Sequence, residues 1–418
     1  MKLEGMEEVK KFISEEIFFT SEAAKFLNIS NQRLNQLVQT GKLSPIKSAK
    51  AGSLFLKSDL EERVKELSMF EEKSTSKPQL KTNIVNNIDN QILFGNDRNI
   101  ITEAINYFAI QSLMKNSMKK AKPFFEHLAT LLNVQEPLPN NIRLISEQMS
   151  LPSETLLQAY KTTYKGFEQL SPTDFVVKLG QDLYPKILEK TEQAPPFLFM
   201  RGNPNLLMYD TVAVVGSRHP SEEGEKRARK LSATLGKYRI VVASGLAKGI
   251  DRCAHEAALE NNNPTIAVIG TPLTKKYPSE NSKLQDSIAE KGLVISQFAP
   301  STPVQRWNFP LRNSIMSGIS LATVIIEAGE TSGALIQADY ALKQNRLVFI
   351  PQSAFENNKL KWPHKYIVKE GAEKFSKIDE LISKLETSNI IQKNSTDSPK
   401  QLTLFNEEVG MKNVGGSE

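Results

Sequence analysis

The stretch VVGSRHPSEEG, residues 214–224, joins an apolar run to a polar helix start through Gly216, Ser217 and Arg218, with Ser221, Glu222 and Glu223 following. A glycine just past a buried strand lets backbone amides approach an anion, and the helix start behind it favours negative charge. An arginine adds charged, directed donors. Phosphate binding is the chemistry this combination performs. Related segments recur: SGLAKGID carries Ser244, Gly245, Lys248, Gly249 and Asp251, TPLTKKYPSEN carries Lys275 and Lys276, and ETSGAL opens a helix with Ser332 and Gly333. Each offers amides, hydroxyls or cations to oxygen anions, so together they say more than any one alone. The dinucleotide fingerprint GxGxxG is absent, and no cofactor is implied.

These loops need a scaffold. Short apolar runs, TVAVVG, RIVVASG, TIAVIG, LVISQF, ATVIIEAG and RLVFIPQ, alternate with helical segments. Their length and continuity predict strands buried on both faces, hence an α/β class with a Rossmann-like, doubly wound parallel sheet over residues 171–388. In such sheets the ligand lies beyond the carboxyl ends of the strands, where the glycines collect. Residues 97–170 have helical spacing, as in ITEAINYFAIQSLM and PFFEHLATLLNV. LISEQMSLPSETLLQAYK in that region reads as two helices and a turn of an interdomain bundle. Residues 69–96 are polar and aperiodic, as a linker is. Residues 1–68 hold a small helix-turn-helix pattern: Thr20 caps a helix through SEAAKFL, NIS turns, and NQRLNQLVQTGKL forms a second amphipathic helix ending near Gly41. SLFLKSDLEERVKEL supplies a short strand and a closing helix.

Composition removes whole classes. With 418 residues, 39% hydrophobic and 24% charged, the chain suits two or three globular domains and not a disordered one. A net charge of +6 permits a polyanionic partner without requiring one. Cys253 is the lone cysteine and the four histidines are scattered, which excludes a disulfide framework and zinc spacings. MKLEGMEEVKKF has no apolar signal core, and no run approaches the roughly 20 apolar residues of a membrane span, so a cytoplasmic protein is expected.

Across LGQDLYPKILEKTEQAPPFLFMRGN, VAVVGSRHPSEEG, VVASGLAKGIDRCAHEAAL, TIAVIGTPLTKKYPSEN and NFPLRNSIMSGISLATVIIEAGETSGALIQADYAL, residues 171–370 resemble the DNA-processing protein A (DprA, or Smf) family. The resemblance implies a non-enzymatic homodimer that binds single-stranded DNA and passes it to a RecA-type recombinase, chiefly in natural transformation. It also implies that Arg218 holds a backbone phosphate, with Lys248, Lys275, Lys276 and Arg312 continuing the track. Tyr277, Trp307 and Phe309 stand in loops suited to base stacking, although Trp307 and Phe309 equally suit core anchors. Asp251 and His255 match the family's GID and AH positions and read as a loop cap and a packed histidine. Cys253 between them reads as a small buried hydrophobe. The N-terminal layout resembles excisionase or MerR-like domains, which implies duplex contacts from Ser30, Asn31, Gln32 and Arg33, with Lys42, Lys47 and Lys50 near the backbone.

Several positions depart from the family: Thr271, Pro272 and Thr274 in one loop, Gln297, Ser314 after RN, and His364 and Lys365 in the last loop. These leave room for roles in repair or defence. Two alternatives share the superfamily: a nucleotide-phosphate sensor, and a phosphoribohydrolase that would use Glu327 and Glu330 as catalytic carboxylates. Residues 389–418 have the composition of a disordered tail, interrupted by QLTLF. That pentapeptide resembles the bacterial sliding-clamp-binding motif, which implies a polar contact from Gln401, orientation by Leu402, and anchoring by Leu404 and Phe405.

Overall fold

The structure, a computed structural model, describes residues 16–26, 34, 38, 43–49, 52–61 and 97–387. The chain divides into two compact units, 1–87 and 88–418.

In the first unit, β1 (Ile17–Phe19), β2 (Lys47–Ala49) and β3 (Gly52–Leu56) form an antiparallel sheet in the order β1-β3-β2. Helix α1 (Thr20–Phe26) buries Ala23 and Ala24 against Leu34, Leu43, Phe55 and Leu60. The Thr20 hydroxyl does not cap α1. It accepts from the Ser53 amide at 2.8 Å and donates to the Ser53 carbonyl, tying the helix start to β3, while Glu22 caps the turn by accepting from the Phe19 amide at 2.8 Å. Ser30, Asn31, Gln32, Arg33, Lys42 and Lys50 lie outside the described residues, as do the segment 69–96 and the QLTLF motif.

The second unit opens with α2 (Arg98–Leu113), α3 (Met118–Leu131), α4 (Ile142–Met149) and α5 (Ser153–Phe167). Nine strands follow: β4 (Asp174–Lys178), β5 (Phe197–Gly202), β6 (Thr211–Val215), β7 (Val241–Ser244), β8 (Thr265–Val268), β9 (Leu293–Ser296), β10 (Ala322–Ile325), β11 (Leu347–Pro351) and β12 (Ala372–Phe375). Their order is β12-β11-β10-β6-β7-β8-β9-β5-β4, parallel from β12 to β9 and antiparallel from β9 to β4. Every residue of β6 to β10 is buried, which is why these strands appear in the sequence as unbroken apolar runs.

Helices cover both faces. On one side α6 (Glu222–Lys237), α7 (Ile250–Glu260) and α11 (Ile378–Thr387) pack Leu231, Leu235, Ile250, Leu381 and Leu385 against Val212, Val214 and Val324. On the other, α9 (Asn308–Gly318) and α10 (Gly333–Lys343) pack Ile315, Met316, Leu335 and Ala338 against Ala213, Val215, Ile325 and Val348. Helix α8 (Ser282–Lys291) buries Ile288 beside β9. This is a doubly wound, Rossmann-like α/β sheet. The antiparallel edge is locked by Arg201, whose guanidinium donates to both oxygens of buried Asp174 at 2.6 and 2.8 Å across their register pair.

The first four helices are fastened to this edge. Tyr107 and Phe108 of α2 and Phe167 of α5 pack on Phe197 and Phe199 of β5, at ring separations of 5.6, 5.4 and 5.6 Å. Lys178 of β4 meets Glu103 of α2 at 2.7 Å. Among the described residues, no helix is long and apolar enough to cross a membrane.

Candidate functional site

From β6 the chain winds outward through β7, β8 and β9, then returns to β10 on the other side of β6 and continues to β12. The loops after β6 and β10 therefore diverge and leave a crevice at this switch point. It is a hollow of about 650 Å³ lined by Gly216, Ser217, Arg218, Arg306, Phe309 and Ser332, among others. Sequence alone predicted loops meeting at the carboxyl ends of the strands, and the structure brings those after β6 and β10 together with Tyr277 and the start of α9.

The loop after β6 is tied down at its backbone. The Ser217 amide donates to the Glu327 carbonyl at 2.7 Å, and the Ile250 amide donates to the Ser217 carbonyl at 3.1 Å. Gly249 has φ +73 and lies against the backbone of Ser217 and Arg218, where a Cβ would collide. The side chain of Arg218 is exposed at the rim, with no ion-pair partner among the described residues.

The start of α6 is filled from within. Glu327 accepts from the Ser221 amide at 3.1 Å and from the Ser221 hydroxyl at 2.6 Å, and Ser221 in turn accepts from the Gly224 amide. The protein's own carboxylate thus occupies the place where the sequence pattern put a ligand phosphate. The start of α10 is different: Ser332 caps the Ala334 amide at 3.2 Å, while Gly329 and Gly333 face open space in the crevice.

The other candidate residues separate into two groups. Ser244, Gly245, Gly249 and Arg312 face the protein. The Ser244 hydroxyl donates to the Val214 carbonyl at 2.7 Å. Arg312 is only 6% exposed, and it donates to the carbonyls of Gly245 and Val268, bracing the ends of β7 and β8 beneath the crevice. Burial pushes its guanidinium down to about 10, which leaves it charged at neutral pH opposite Asp251. Asp251 accepts from the amides of Gly245 at 3.2 Å and Ala247 at 3.3 Å, so it caps the loop as its position suggested. Its burial raises the carboxyl above its ordinary range, opposed chiefly by Arg312.

The lysines and aromatics face outward. Lys248 pairs with Glu280 and Lys276 with Asp286, both exposed pairs of little energetic weight. Lys275 is exposed without an ion-pair partner among the described residues. Tyr277 is 52% exposed and leans on Phe309 at 5.2 Å between ring centres, and Trp307 is 58% exposed. Arg306, in the crevice wall and next to Trp307 in sequence, lies just before the start of α9, and no glycine marks it in the sequence. The exposed RW pair was the available signal.

Three side chains with acid–base chemistry have partners within the fold. His255 is fully buried, with Nδ1 2.8 Å from the Thr265 hydroxyl. That hydroxyl donates to the Val242 carbonyl, so Nδ1 must carry the imidazole proton. Burial first, and Arg312 second, push the ring down to about 3, which keeps it neutral. Glu330 accepts from the amides of Lys361 and Trp362, capping the short helix Trp362–Ile367. With Glu327 capping α6, both carboxylates that a base-releasing hydrolase would need are bound to backbone. At the departing positions, Thr271 donates to the Lys275 carbonyl at 3.1 Å and Ser314 to the Leu311 carbonyl at 2.7 Å, each holding its own local backbone.

Residues 175–386 match the sequence profile of a family described as DNA recombination-mediator protein A. The chain is 40% identical over 206 residues to DNA processing protein DprA of Streptococcus pneumoniae, covering 49% of this chain and 72% of that protein. It is 36% identical over 216 residues to Protein Smf of Escherichia coli, covering 51% of this chain and 58% of that protein. Among solved structures, the X-ray structure of DprA from Streptococcus pneumoniae superposes with a TM-score of 0.53 at 30% identity, covering 68% of this chain and 95% of that one.

Proposed function

Because the chain belongs to the DNA recombination-mediator protein A family, whose members include DprA and Smf, we propose that it binds single-stranded DNA in the switch-point crevice and assists its transfer to a RecA-type recombinase. The observation that carries this reading is that Arg218 and Arg306, exposed cations without ion-pair partners among the described residues, line the crevice together with the exposed ring of Tyr277, with Lys275 two residues before Tyr277 and Trp307 next to Arg306 in sequence. Single strands are held by cations that track phosphates and by aromatic faces that accept any base. In this reading the protein acts without turnover, as a homodimer, in DNA uptake or recombination. A sensor of free nucleotides is the competing use of the same crevice.

Fluorescence anisotropy with a labelled oligonucleotide tests the reading. Affinity should fall steeply with salt, by about 0.7 in log K per log salt for each phosphate contacted. The N-terminal unit, read as a duplex-binding helix-turn-helix domain, adds a second arm to the experiment. Deleting residues 1–90 should abolish duplex binding and leave most single-strand binding. Equal loss of both from a folded protein would refute the division, and base release from nucleoside monophosphates would replace the binding reading with an enzymatic one.

The QLTLF segment is read as a sliding-clamp ligand. A peptide of residues 396–410 should bind purified clamp with roughly micromolar affinity, since ordering a short free peptide offsets much of its contact energy. Leu404→Ala with Phe405→Ala should remove that binding while single-strand affinity stays unchanged. Clamp binding that survives the double substitution would end the idea.

A further inference from the structure

A second hollow, also of about 650 Å³, lies beyond the carboxyl ends of β10, β11 and β12 and between α6 and α11. Its rim carries Arg227 and Lys230 of α6 and Lys377 just before α11, and its floor is apolar, formed by Leu231, Ile326, Phe375 and Ile378. Arg227 is held in place, donating through Nε to the Glu223 carbonyl at 3.2 Å and through Nη1 to the Ser353 hydroxyl. Lys230 and Lys377 are exposed and have no ion-pair partner among the described residues. Two acidic groups share the wall: Glu356, which accepts from Gln352 at 3.1 Å, and Asp379. The start of α11 is not a free anion site, because Glu380 accepts from the Ser376 amide at 2.8 Å and the Lys377 amide at 3.4 Å.

We infer that this hollow is a second contact site for the same nucleic-acid strand that enters the crevice, taking phosphates on Lys230, Lys377 and Arg227 and a base against Phe375 and Ile378. The inference rests on the crevice binding single-stranded DNA. Three observations support it. The two hollows open at the same edge of the sheet and share the loop after β10 as a wall, with Ile326 in one and Gly329 in the other. Three residues of chain span at most about 11 Å, so the sites lie within reach of one short stretch of strand. The cations stand on two separate elements, α6 and the segment just before α11, around an apolar floor. A free nucleotide needs convergent polar groups to offset its lost freedom, whereas a segment already tethered in the crevice meets this rim at high effective concentration.

The test compares the full chain with its Lys230→Gln, Lys377→Gln double variant on single strands of about four and about 16 nucleotides, lengths that bracket known single-strand clefts. The long strand should bind the variant about tenfold more weakly, with a salt slope lower by about 1.4 for two lost phosphates. The short strand, held by the crevice alone, should bind both proteins equally. Unchanged affinity and slope for the long strand would overturn the second site alone. Equal weakening for both strands would overturn it as well, since the effect would then be a general loss of charge. Wild-type protein that binds neither strand would overturn the crevice reading, and this one with it. Deoxyadenosine monophosphate that removes the lysine-dependent part of long-strand binding would make the hollow a free-nucleotide site and would equally refute the inference.

Discussion

Arg218→Glu should weaken single-strand binding roughly 30- to 140-fold. Losing hydrogen bonds from a charged donor and adding repulsion costs about 2–3 kcal/mol, at tenfold per 1.4 kcal/mol. The salt slope should drop by at least about 0.7 as one phosphate contact disappears. The geometry makes this a clean substitution, because Arg218 is exposed and the backbone beneath it is fixed by Ser217, Gly249 and Ile250 and not by its own side chain. Thermal stability should therefore be unchanged. Arg218→Lys separates charge from shape: an ammonium keeps the attraction but loses the planar fork, and affinity should fall by less than about tenfold. A folded Arg218→Glu protein that binds as tightly as wild type would remove the crevice from consideration.

The second large effect is on stability. Arg312→Leu should destabilise the second unit by about 3–5 kcal/mol, because Asp251 would keep a buried carboxyl without its opposing charge. The carbonyls of Gly245 and Val268 would also lose their donor. The melting temperature should fall on the order of 10 °C, at about 2–4 °C per kcal/mol for a body of this scale. Adding Asp251→Asn should recover part of the loss, since an amide oxygen still accepts from Gly245 and Ala247 while the charge is gone. Arg312→Leu melting within about 2 °C of wild type would show that the brace is ornamental.

The parallel strands were legible because each is buried on both faces and so appears as an unbroken apolar run. β12, AEKF, was not, since its residues are only partly covered and alternate with charge. The antiparallel pair β4 and β5 is hidden for a different reason: its ladder, with Asp174 meeting Arg201 across 27 residues, is a relation without local periodicity. In the crevice, glycines and helix starts were visible as types, but not which way they faced. Arg312 and Arg218 look alike in sequence, yet one holds carbonyls and the other faces solvent. Glu327 reaches back 106 residues to Ser221, and no spacing rule encodes that distance.

The aromatic seam between the first four helices and β5 bears on how this protein can be cut. A change of sequence pattern near residue 171 invites expression of the sheet alone, but it is not a mechanical joint. Severing the chain there would bare Phe197 and Phe199 on one edge of the sheet, the kind of sticky surface that drives fragments into aggregates. It would also free the loop that leads to Arg306 and Trp307, because α5 abuts that loop so closely that a Cβ on Gly166 would lie 2.7 Å from the Ser301 nitrogen. The smallest portable version of the crevice therefore begins before Arg98, and the helices travel with it as its buttress.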